Sequence, residues 1–192
     1  MNLPHDEREE LIDLLVDRSL REGDFELSSG KSASVYVDVK QTVLSGRGAA
    51  LTGRALWSLL QKVAPSASAS GGLTLGADPL VTAIAMAAWE DGVDFGAVLV
   101  RKEAKGHGTQ RFVEHPDTIE AGDVVVAVDD VVTTGGSTLT AIERMRKAGL
   151  VVEDAICVVD REDVGAERLA AADVTLHPLF SLSELVERRG TE

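Results

Sequence analysis

Residues 124–138 read VVVAVDDVVTTGGST, and this stretch decides the fold of the chain. Val124–Val128 forms a continuous apolar run, which is typical of a strand buried on both faces of a parallel sheet. Two acids and a loop of small residues follow, and the next segment has the apolar spacing of a helix over Ser137–Ala148 that Gly149 ends. The stretch therefore predicts one strand–loop–helix unit of an α/β protein.

The alternation of strand and helix patterns continues along the rest of the chain. Further apolar strands are predicted at Ala69–Gly72, Phe95–Val100, Val151–Val159 and Val174–Leu176. Helices are predicted at Asp6–Glu22, Gly46–Val63 and Ala77–Trp89, with Trp57 and Trp89 in the core. The sequence FELSSGKSASVYVD (Phe25–Asp38) predicts two short strands around a turn. Together these patterns predict a doubly wound, mainly parallel sheet flanked by helices, with ligands beyond the carboxyl ends of the strands.

Composition and charge exclude several classes of protein. The 192 residues fit one domain, and 44% hydrophobic residues argue against disorder. With 32 acidic against 19 basic residues the net charge is −13, which repels nucleic acids and anionic membrane surfaces. No apolar run approaches the roughly 20 residues that span a bilayer, and the acidic N-terminus is unlike a signal peptide. The single cysteine, Cys157, excludes an internal disulfide, so we expect a cytoplasmic protein.

The two acids and the loop after them suggest a specific ligand. Carboxylates at Asp129 and Asp130 can accept hydrogen bonds in pairs from the hydroxyls of a sugar. Gly135 and Gly136 allow successive backbone N–H groups to point toward one anion, and the following helix adds its positive dipole end. A ligand that carries both a phosphate and a pair of neighbouring hydroxyls is a ribose 5-phosphate, so this stretch predicts a site for that group. The alternative is a solvated strand end followed by an ordinary turn.

A second segment concentrates positive charge in this acidic chain. RKEAKGHGTQR (residues 101–111, the basic segment) carries Arg101, Lys102, Lys105, His107 and Arg111. Such a cluster suits a departing diphosphate, whose negative charge must be held. The two glycines beside His107 favour an exposed loop that closes over a bound substrate. A solvated basic loop is the alternative.

These segments resemble a known family. The stretch 124–138 is similar to the 5-phosphoribosyl 1-diphosphate (PRPP) signature of type I phosphoribosyltransferases. The string RKEAK-x-HG looks like the catalytic loop of orotate phosphoribosyltransferases, and FELSSGKSASVYVD resembles their N-terminal hood. DRE (residues 160–162) resembles a segment that contacts orotate in that family. The matches occur in the expected order from about residue 25 to residue 162.

The resemblance implies a reaction and an assembly. Ribose 5-phosphate would pass from PRPP to N1 of orotate, giving orotidine 5′-monophosphate and diphosphate in pyrimidine biosynthesis. Mg²⁺ would act as cofactor, held mainly through PRPP and water, with the direct metal ligands left open. The protein would be a homodimer in which the basic segment of one subunit completes the neighbouring site. One domain would span 1–192, with a hood mainly in 1–40, a C-terminal contribution to it, and a core at about 45–180.

The resemblance also assigns roles to individual residues. The catalytic residues would be Lys105, His107, Asp129 and Asp130. PRPP would be bound by Arg101, Lys102, Lys105, His107, Asp129, Asp130, Val131, Val132, Thr133, Thr134, Gly135, Gly136 and Ser137. Orotate would be bound by Tyr36, Val37, Thr133 and Arg161.

Two positions depart from the family pattern. Some members have lysine where this chain has Ser28, and another lysine in the diphosphate turn where it has Leu75. That turn reads GGLTLGADP (residues 71–79), with Asp78 in place of a further cation. These contacts would be either absent or supplied in another way, for example by the backbone amides of residues 74–77 and a metal.

Two other functions remain as alternatives. A phosphoribosyltransferase for another nucleobase would share the phosphate loop but lack RKEAKGHG. A regulator that senses PRPP and binds DNA would need a helix-turn-helix or a basic face. Only about 24 residues precede the hood, this segment is acidic as a whole, and no such motif is visible there.

The acidity also predicts a response to salt. Only six of the 19 basic residues are lysine, while acids are spread along the chain. Because salt screens repulsion between like charges, we expect the free energy of unfolding to rise with KCl concentration, as in a protein adapted to high salt. Chemical denaturation at increasing KCl measures this. Maximal stability at low salt would instead indicate an ordinary acidic enzyme.

Overall fold

The structure, a computed structural model, describes residues 4–26, 32–104 and 112–190. In chain order its elements are α1 (His5–Arg18), β1 (Leu20–Glu26), β2 (Ser32–Val37), α2 (Lys40–Val43), α3 (Gly46–Val63), β3 (Ala69–Leu73), α4 (Asp78–Glu90), β4 (Gly96–Val100), β5 (Val113–Glu114), β6 (Val125–Val132), α5 (Gly136–Lys147), β7 (Asp154–Asp160), α6 (Gly165–Ala170), β8 (Thr175–Ser181) and α7 (Leu182–Gly190).

A six-stranded sheet with the order β5-β4-β3-β6-β7-β8 forms the centre of the molecule. Strands β3, β4, β6, β7 and β8 are parallel, and only β5, at one edge, runs antiparallel to its neighbour β4. The strand order reverses between β3 and β6, where the chain changes direction of winding. The predicted doubly wound, mainly parallel sheet is confirmed.

Strand β6 is buried on both faces, as its continuous apolar run predicts. Val126 and Val128 belong to the core cluster that contains the residues of α3 and α4. Val125 and Ala127 belong to the opposite cluster, which contains Ile142 and Met145 of α5. Because successive side chains of a strand point to opposite faces, a strand in the centre of a three-layer fold needs apolar residues at every position.

Close packing explains the glycines of β3. A Cβ atom at Gly72 would lie 2.1 Å from the carbonyl oxygen of Val128 and 2.4 Å from the Cβ of Ala77. Only glycine therefore allows the strand to approach β6 and the start of α4 so closely. This approach brings the turn after β3 next to the end of β6.

The chain's first strands form a separate two-stranded antiparallel sheet, β1–β2, beside the terminal helices. The Phe25 and Tyr36 rings pack with their centroids 5.4 Å apart. Helices α1 and α7 are joined by Arg188, whose guanidinium lies 2.7 Å from carboxylate oxygens of both Glu9 and Asp13. The N-terminal and C-terminal segments thus share one layer.

Three local predictions were wrong. The helix predicted over Asp6–Glu22 ends at Arg18, because Leu20 pairs with Val37 in the β1–β2 sheet. Strand pairing overrides the helical spacing there, and Gly23 lies inside β1 rather than ending a helix. Trp89 is 70% exposed. Helix α4 is apolar on all sides, so its sequence pattern did not reveal which face is buried.

In the described residues no helix has both the length and the apolar composition needed to cross a membrane.

Candidate active site

The carboxyl ends of the parallel strands bring the predicted site residues to one edge of the sheet. Val132, the last residue of β6, pairs with Asp160 at the end of β7, and Leu73 pairs with Val100 in the same way in β3 and β4. Thr133 and Arg161 therefore follow neighbouring strand ends. This is the edge at which ligands bind in open α/β sheets.

Asp129 lies within β6 and is buried, with 8% of its surface exposed. The Thr138 hydroxyl donates a 2.7 Å hydrogen bond to Oδ2 of Asp129, and the Asp130 amide donates to Oδ1 at 3.0 Å. Burial raises the pKa of this carboxyl to about 7, the negative charge of Asp130 adds to the shift, and the Thr138 bond opposes it. The first acid of the pair thus ties β6 to the first turn of α5.

Asp130 is only partly buried, and its carboxylate meets groups that the sequence analysis had not singled out. The Lys40 ammonium lies 3.4 Å from Oδ2 of Asp130 and 2.7 Å from Oδ1 of Asp38. Its hydrogen bond to Asp38 raises the pKa of Lys40, and Asp130 contributes to this shift. No sequence signal marks Lys40, because the pair with Asp130 joins residues 90 positions apart.

The diphosphate turn lies against Asp130. A Cβ atom at Gly76 would be 2.8 Å from Oδ1 of Asp130, so the backbone of the turn passes directly beside this carboxylate. Asp38 is linked to Asp130 through the Lys40 ammonium, which contacts both carboxylates. Burial alone would raise the pKa of Asp38, but hydrogen bonds from Lys40 and Gln41 outweigh that effect and lower it.

The loop after β6 has the backbone geometry of an anion site. Gly135 has a φ of +71°, which glycine adopts without strain, and it caps α5 at its N-terminus. Helix α5 begins at Gly136, one residue earlier than predicted. The first amides of α5 therefore point toward the edge of the sheet, together with the positive end of the helix dipole. Arg168 supports the loop from behind by donating to the Thr134 carbonyl at 3.0 Å.

The first residue of the basic segment, Arg101, is held to Phe112, which follows the segment in the chain. The Arg101 amide donates to the Phe112 carbonyl at 2.7 Å, where β4 and β5 pair. Arg144 of α5 donates to the Arg101 carbonyl and stacks over the Phe112 ring, 4.4 Å from its centroid. Strand β5 and Arg144 were both absent from the sequence prediction. Residues 105–111 lie outside the described residues, so the structure does not test the predictions for Lys105 and His107.

A cavity of about 500 Å³ opens beside this edge, between the turn after β3 and the start of the basic segment. Its lining consists of Thr74, Leu75, Asp78, Leu99, Arg101, Lys102, Glu103 and Glu114. Two of the predicted diphosphate ligands, Arg101 and Lys102, therefore face the same space as the diphosphate turn. Arg101 also forms an ion pair with Glu114, with Nε 3.2 Å from Oε1.

The hood contacts the core through Arg161. Its guanidinium donates to the Val35 carbonyl at 3.1 Å, and its own amide donates to the Val132 carbonyl at 2.9 Å. Arg161 thus connects β2 with the end of β6. Tyr36 is 40% exposed beside this contact, whereas the Val37 side chain is buried, so only the backbone of Val37 is available to a ligand.

Comparisons with known proteins identify the family. Orotate phosphoribosyltransferase of Thermosynechococcus vestitus is 47% identical over 180 residues, which is 94% of this chain and 93% of the relative. Two crystal structures of the Mycobacterium tuberculosis enzyme are also similar. The complex with Fe(III) dicitrate has a TM-score of 0.80 and 38% identity, covering 93% of this chain and 98% of the other. The complex with PRPP has a TM-score of 0.76 and 34% identity, covering 94% and 99%.

The chain belongs to the orotate phosphoribosyltransferase family. No protein-family model matches it. Orotate phosphoribosyltransferases are pentosyltransferases, so the chain is an enzyme of that class. The predicted family and the predicted fold are both confirmed, and the alternatives of a regulator or an enzyme for another nucleobase are not supported by these relatives.

The buried Asp129 predicts a pH dependence of stability. Its pKa is raised in the folded state, so the Asp129 carboxylate binds a proton more tightly in the folded protein than in the unfolded chain. This contribution is complete below about pH 4, the usual value for an unfolded Asp, and is lost as the pH rises toward 7. In Asp129→Asn the group stays neutral. We therefore expect Asp129→Asn to gain stability relative to the unmodified protein between about pH 4 and 7, by at least about 1 kcal/mol.

Urea denaturation of both proteins at several pH values measures this difference. Every other titrating group occurs in both proteins, so its effect on the free energy of unfolding largely cancels in the difference between them. In Thr138→Val the loss of the donated hydrogen bond should raise the folded-state pKa of Asp129 further, so the upper end of the window should move to higher pH while its lower end stays near pH 4. A difference in stability that does not change between about pH 4 and 7 would contradict the raised pKa.

Proposed function

We propose that this enzyme transfers the 5-phosphoribosyl group from PRPP to N1 of orotate at the carboxyl edge of its sheet, releasing diphosphate. The observation that carries the assignment of the site is the meeting of three features there. These are the exposed side of Asp130, the glycine loop at the start of α5, and the turn after β3. The solved complex of a relative with PRPP supports the choice of donor substrate.

The ribose 5-phosphate half of PRPP is proposed to lie along the loop after β6. Thr133–Ser137 would hold the 5-phosphate through their amides and hydroxyls, with the dipole of α5 behind them. Asp130 would accept hydrogen bonds from the ribose hydroxyls once Lys40 yields or shares its carboxylate. Asp129 would act mainly by positioning Asp130 and the loop, since both its oxygens already accept hydrogen bonds.

Orotate is proposed to lie between the hood and the end of β7. It is an anion, so an acidic enzyme needs a local positive charge for it, and Arg161 is the cation that links these two elements. Tyr36 would cover the face of the base. The backbone of Val37 and the side chain of Thr133 would supply hydrogen bonds at its edge.

The residue types match the charges that develop during the reaction. As the bond between C1 and diphosphate breaks, positive charge grows on the ribose and negative charge on the leaving group. In this arrangement Asp130 would lie on the ribose side, while Arg101, Lys102 and the cations of the basic segment would act on the leaving group. No covalent nucleophile is required. Bound Mg²⁺ would supply positive charge that stabilises the diphosphate.

The residues present fit a Mg²⁺ ion that arrives with its substrate. Among the described residues no group of three or more His, Cys, Asp or Glu side chains could hold an ion alone. Mg²⁺ is commonly bound by one or two carboxylates plus substrate phosphates and water. We therefore propose that PRPP oxygens and water provide most of its ligands.

The reaction itself provides the test. The purified enzyme is mixed with PRPP, Mg²⁺ and orotate, and the fall in orotate absorbance is followed. Parallel incubations replace orotate with uracil, adenine or xanthine. These bases are also acceptors for the phosphoribosyl group of PRPP, but they lack the carboxylate that Arg161 would hold. Turnover of another base, with a flat trace for orotate, would overturn the proposal.

The basic segment gives a prediction on catalysis. If Lys105 holds the departing diphosphate, Lys105→Ala should lower the turnover number at least about tenfold, or ~1.4 kcal/mol of transition-state stabilisation. Lys147→Ala, which removes an exposed lysine at the end of α5, is the matched control. An unchanged rate for Lys105→Ala with both substrates saturating would remove this lysine from the mechanism.

We also propose that the enzyme is a cytoplasmic homodimer in which the basic segment of one subunit completes the site of the other. The outer face of α4 supports this. Met86 and Trp89 are 64% and 70% exposed, and they border a groove of about 410 Å³ with Val93. Leu75, in the turn that precedes α4, is also apolar and 75% exposed, and we group it with Met86, Trp89 and Val93 as the apolar stripe. A second copy on the stripe would therefore lie beside the active site, where the segment has to reach.

Sedimentation velocity tests the dimer. Trp89→Glu places a charge in the middle of the stripe and should shift the protein from dimer to monomer. Val186→Glu changes a valine that is 44% exposed on α7, outside the stripe, and should leave the dimer intact. A monomeric unmodified enzyme with full activity would refute a site shared between subunits.

A further inference from the structure

One carboxylate in the cavity has a role that the reaction scheme leaves open. Asp78 is the first residue of α4, directly after the diphosphate turn, and it lines the cavity of about 500 Å³. Its Oδ1 atom is buried and has no hydrogen-bond partner among the described residues. Burial also raises the pKa of the Asp78 carboxyl. Since a buried polar atom without a partner is unfavourable, the Asp78 carboxylate would be stabilised by a positively charged group that enters the cavity beside it.

The charges around the cavity indicate which kind of group this is. The described lining contains three carboxylates, Asp78, Glu103 and Glu114, but only two cations, Arg101 and Lys102. Arg101 is already paired with Glu114. From these described lining residues a diphosphate would therefore meet an excess of negative charge, which would repel it. A carboxylate can assist an anion only through a cation that lies between them.

The turn itself does not replace the missing charge. The Thr74 amide donates to the Val100 carbonyl at 2.9 Å and the Ala77 amide to the Leu73 carbonyl at 3.3 Å. Of the four amides from residue 74 to residue 77, at most two remain for a diphosphate. The side chain at the tip of the turn is Leu75, which is apolar and exposed.

We propose that Asp78 binds a hydrated divalent cation coordinated by the diphosphate of PRPP, so that the ion bridges the carboxylate and the substrate. A single carboxylate together with phosphate oxygens and water is the environment that Mg²⁺ favours in such sites. The cation would supply the positive charge that the turn lacks at Leu75. The inference rests on the proposed function of the site, because it takes PRPP as the ligand.

Binding of PRPP without orotate tests the inference, since no turnover occurs under that condition. Isothermal titration calorimetry gives the dissociation constant for PRPP with Mg²⁺ and again in EDTA. In Asp78→Asn the dissociation constant with Mg²⁺ should rise at least about tenfold. In EDTA it should stay equal or fall, because the variant has lost a charge that repels the substrate. Mn²⁺ bound in the presence of PRPP, measured by electron paramagnetic resonance, should be weakened to the same extent.

Two further variants separate the bridge from other effects. Glu103→Gln removes one negative charge from the same cavity and should not weaken binding of PRPP with Mg²⁺. Asp78→Ser keeps a residue that favours the start of a helix and should reproduce the loss seen in Asp78→Asn. If Asp78→Asn folds poorly, the serine variant gives the answer.

The outcomes are distinct. Equal affinity of Asp78→Asn and the unmodified enzyme for PRPP with Mg²⁺ would overturn the role of Asp78 and leave the proposed function standing. An equal loss in Mg²⁺ and in EDTA would also overturn it, because the effect would then be independent of the cation. If the unmodified enzyme itself fails to bind PRPP with Mg²⁺, the proposed function fails.

Discussion

The hydrogen bond from Thr138 to Asp129 is the interaction on which the rest of the site depends. It joins the end of a strand buried on both faces to the first turn of the helix that follows, across a loop closed by Gly135. Because Asp129 turns inward to accept this bond, the next carboxylate in the strand, Asp130, turns outward. The same bond holds the first amides of α5 at the edge of the sheet. It therefore fixes the position of the Asp130 carboxylate relative to the loop at the start of α5.

The second constraint is electrostatic. An enzyme with a net charge of −13 has to attract two anionic substrates. At the described part of the carboxyl edge, carboxylates already engage two of the cations, in the pairs of Lys40 with Asp130 and Arg101 with Glu114. Such pairs keep the cations in place before substrate binds. They also reduce the positive charge that these two side chains offer to a diphosphate, which agrees with the proposed contributions of the basic segment and a metal ion.

The fold brings together residues that are remote in sequence because parallel strands end at one edge. Leu73, Val100, Val132 and Asp160 end four strands, and each is followed by a segment with a proposed role in binding. At this edge Arg161 connects the end of β7 with the hood by donating to the Val35 carbonyl. Exchange of this contact for one with a substrate carboxylate would couple orotate binding to the position of the hood.

The sequence by itself determined the class of fold, the central strand with its two acids, the glycine loop and the family, because these depend on patterns within short segments. An apolar run at every position of β6, and glycines at the turn into α5, have few structural alternatives. It could not determine which carboxylate of the pair is buried and which is partly exposed, the partnership of Lys40 with Asp130, or the contact of Arg144 with the Arg101 carbonyl. Only the tertiary structure decided these, and likewise that Trp89 lies outside the core and that the first helix stops at Arg18. Each depends on contacts between residues far apart in the chain, and local propensity carries no information about such contacts.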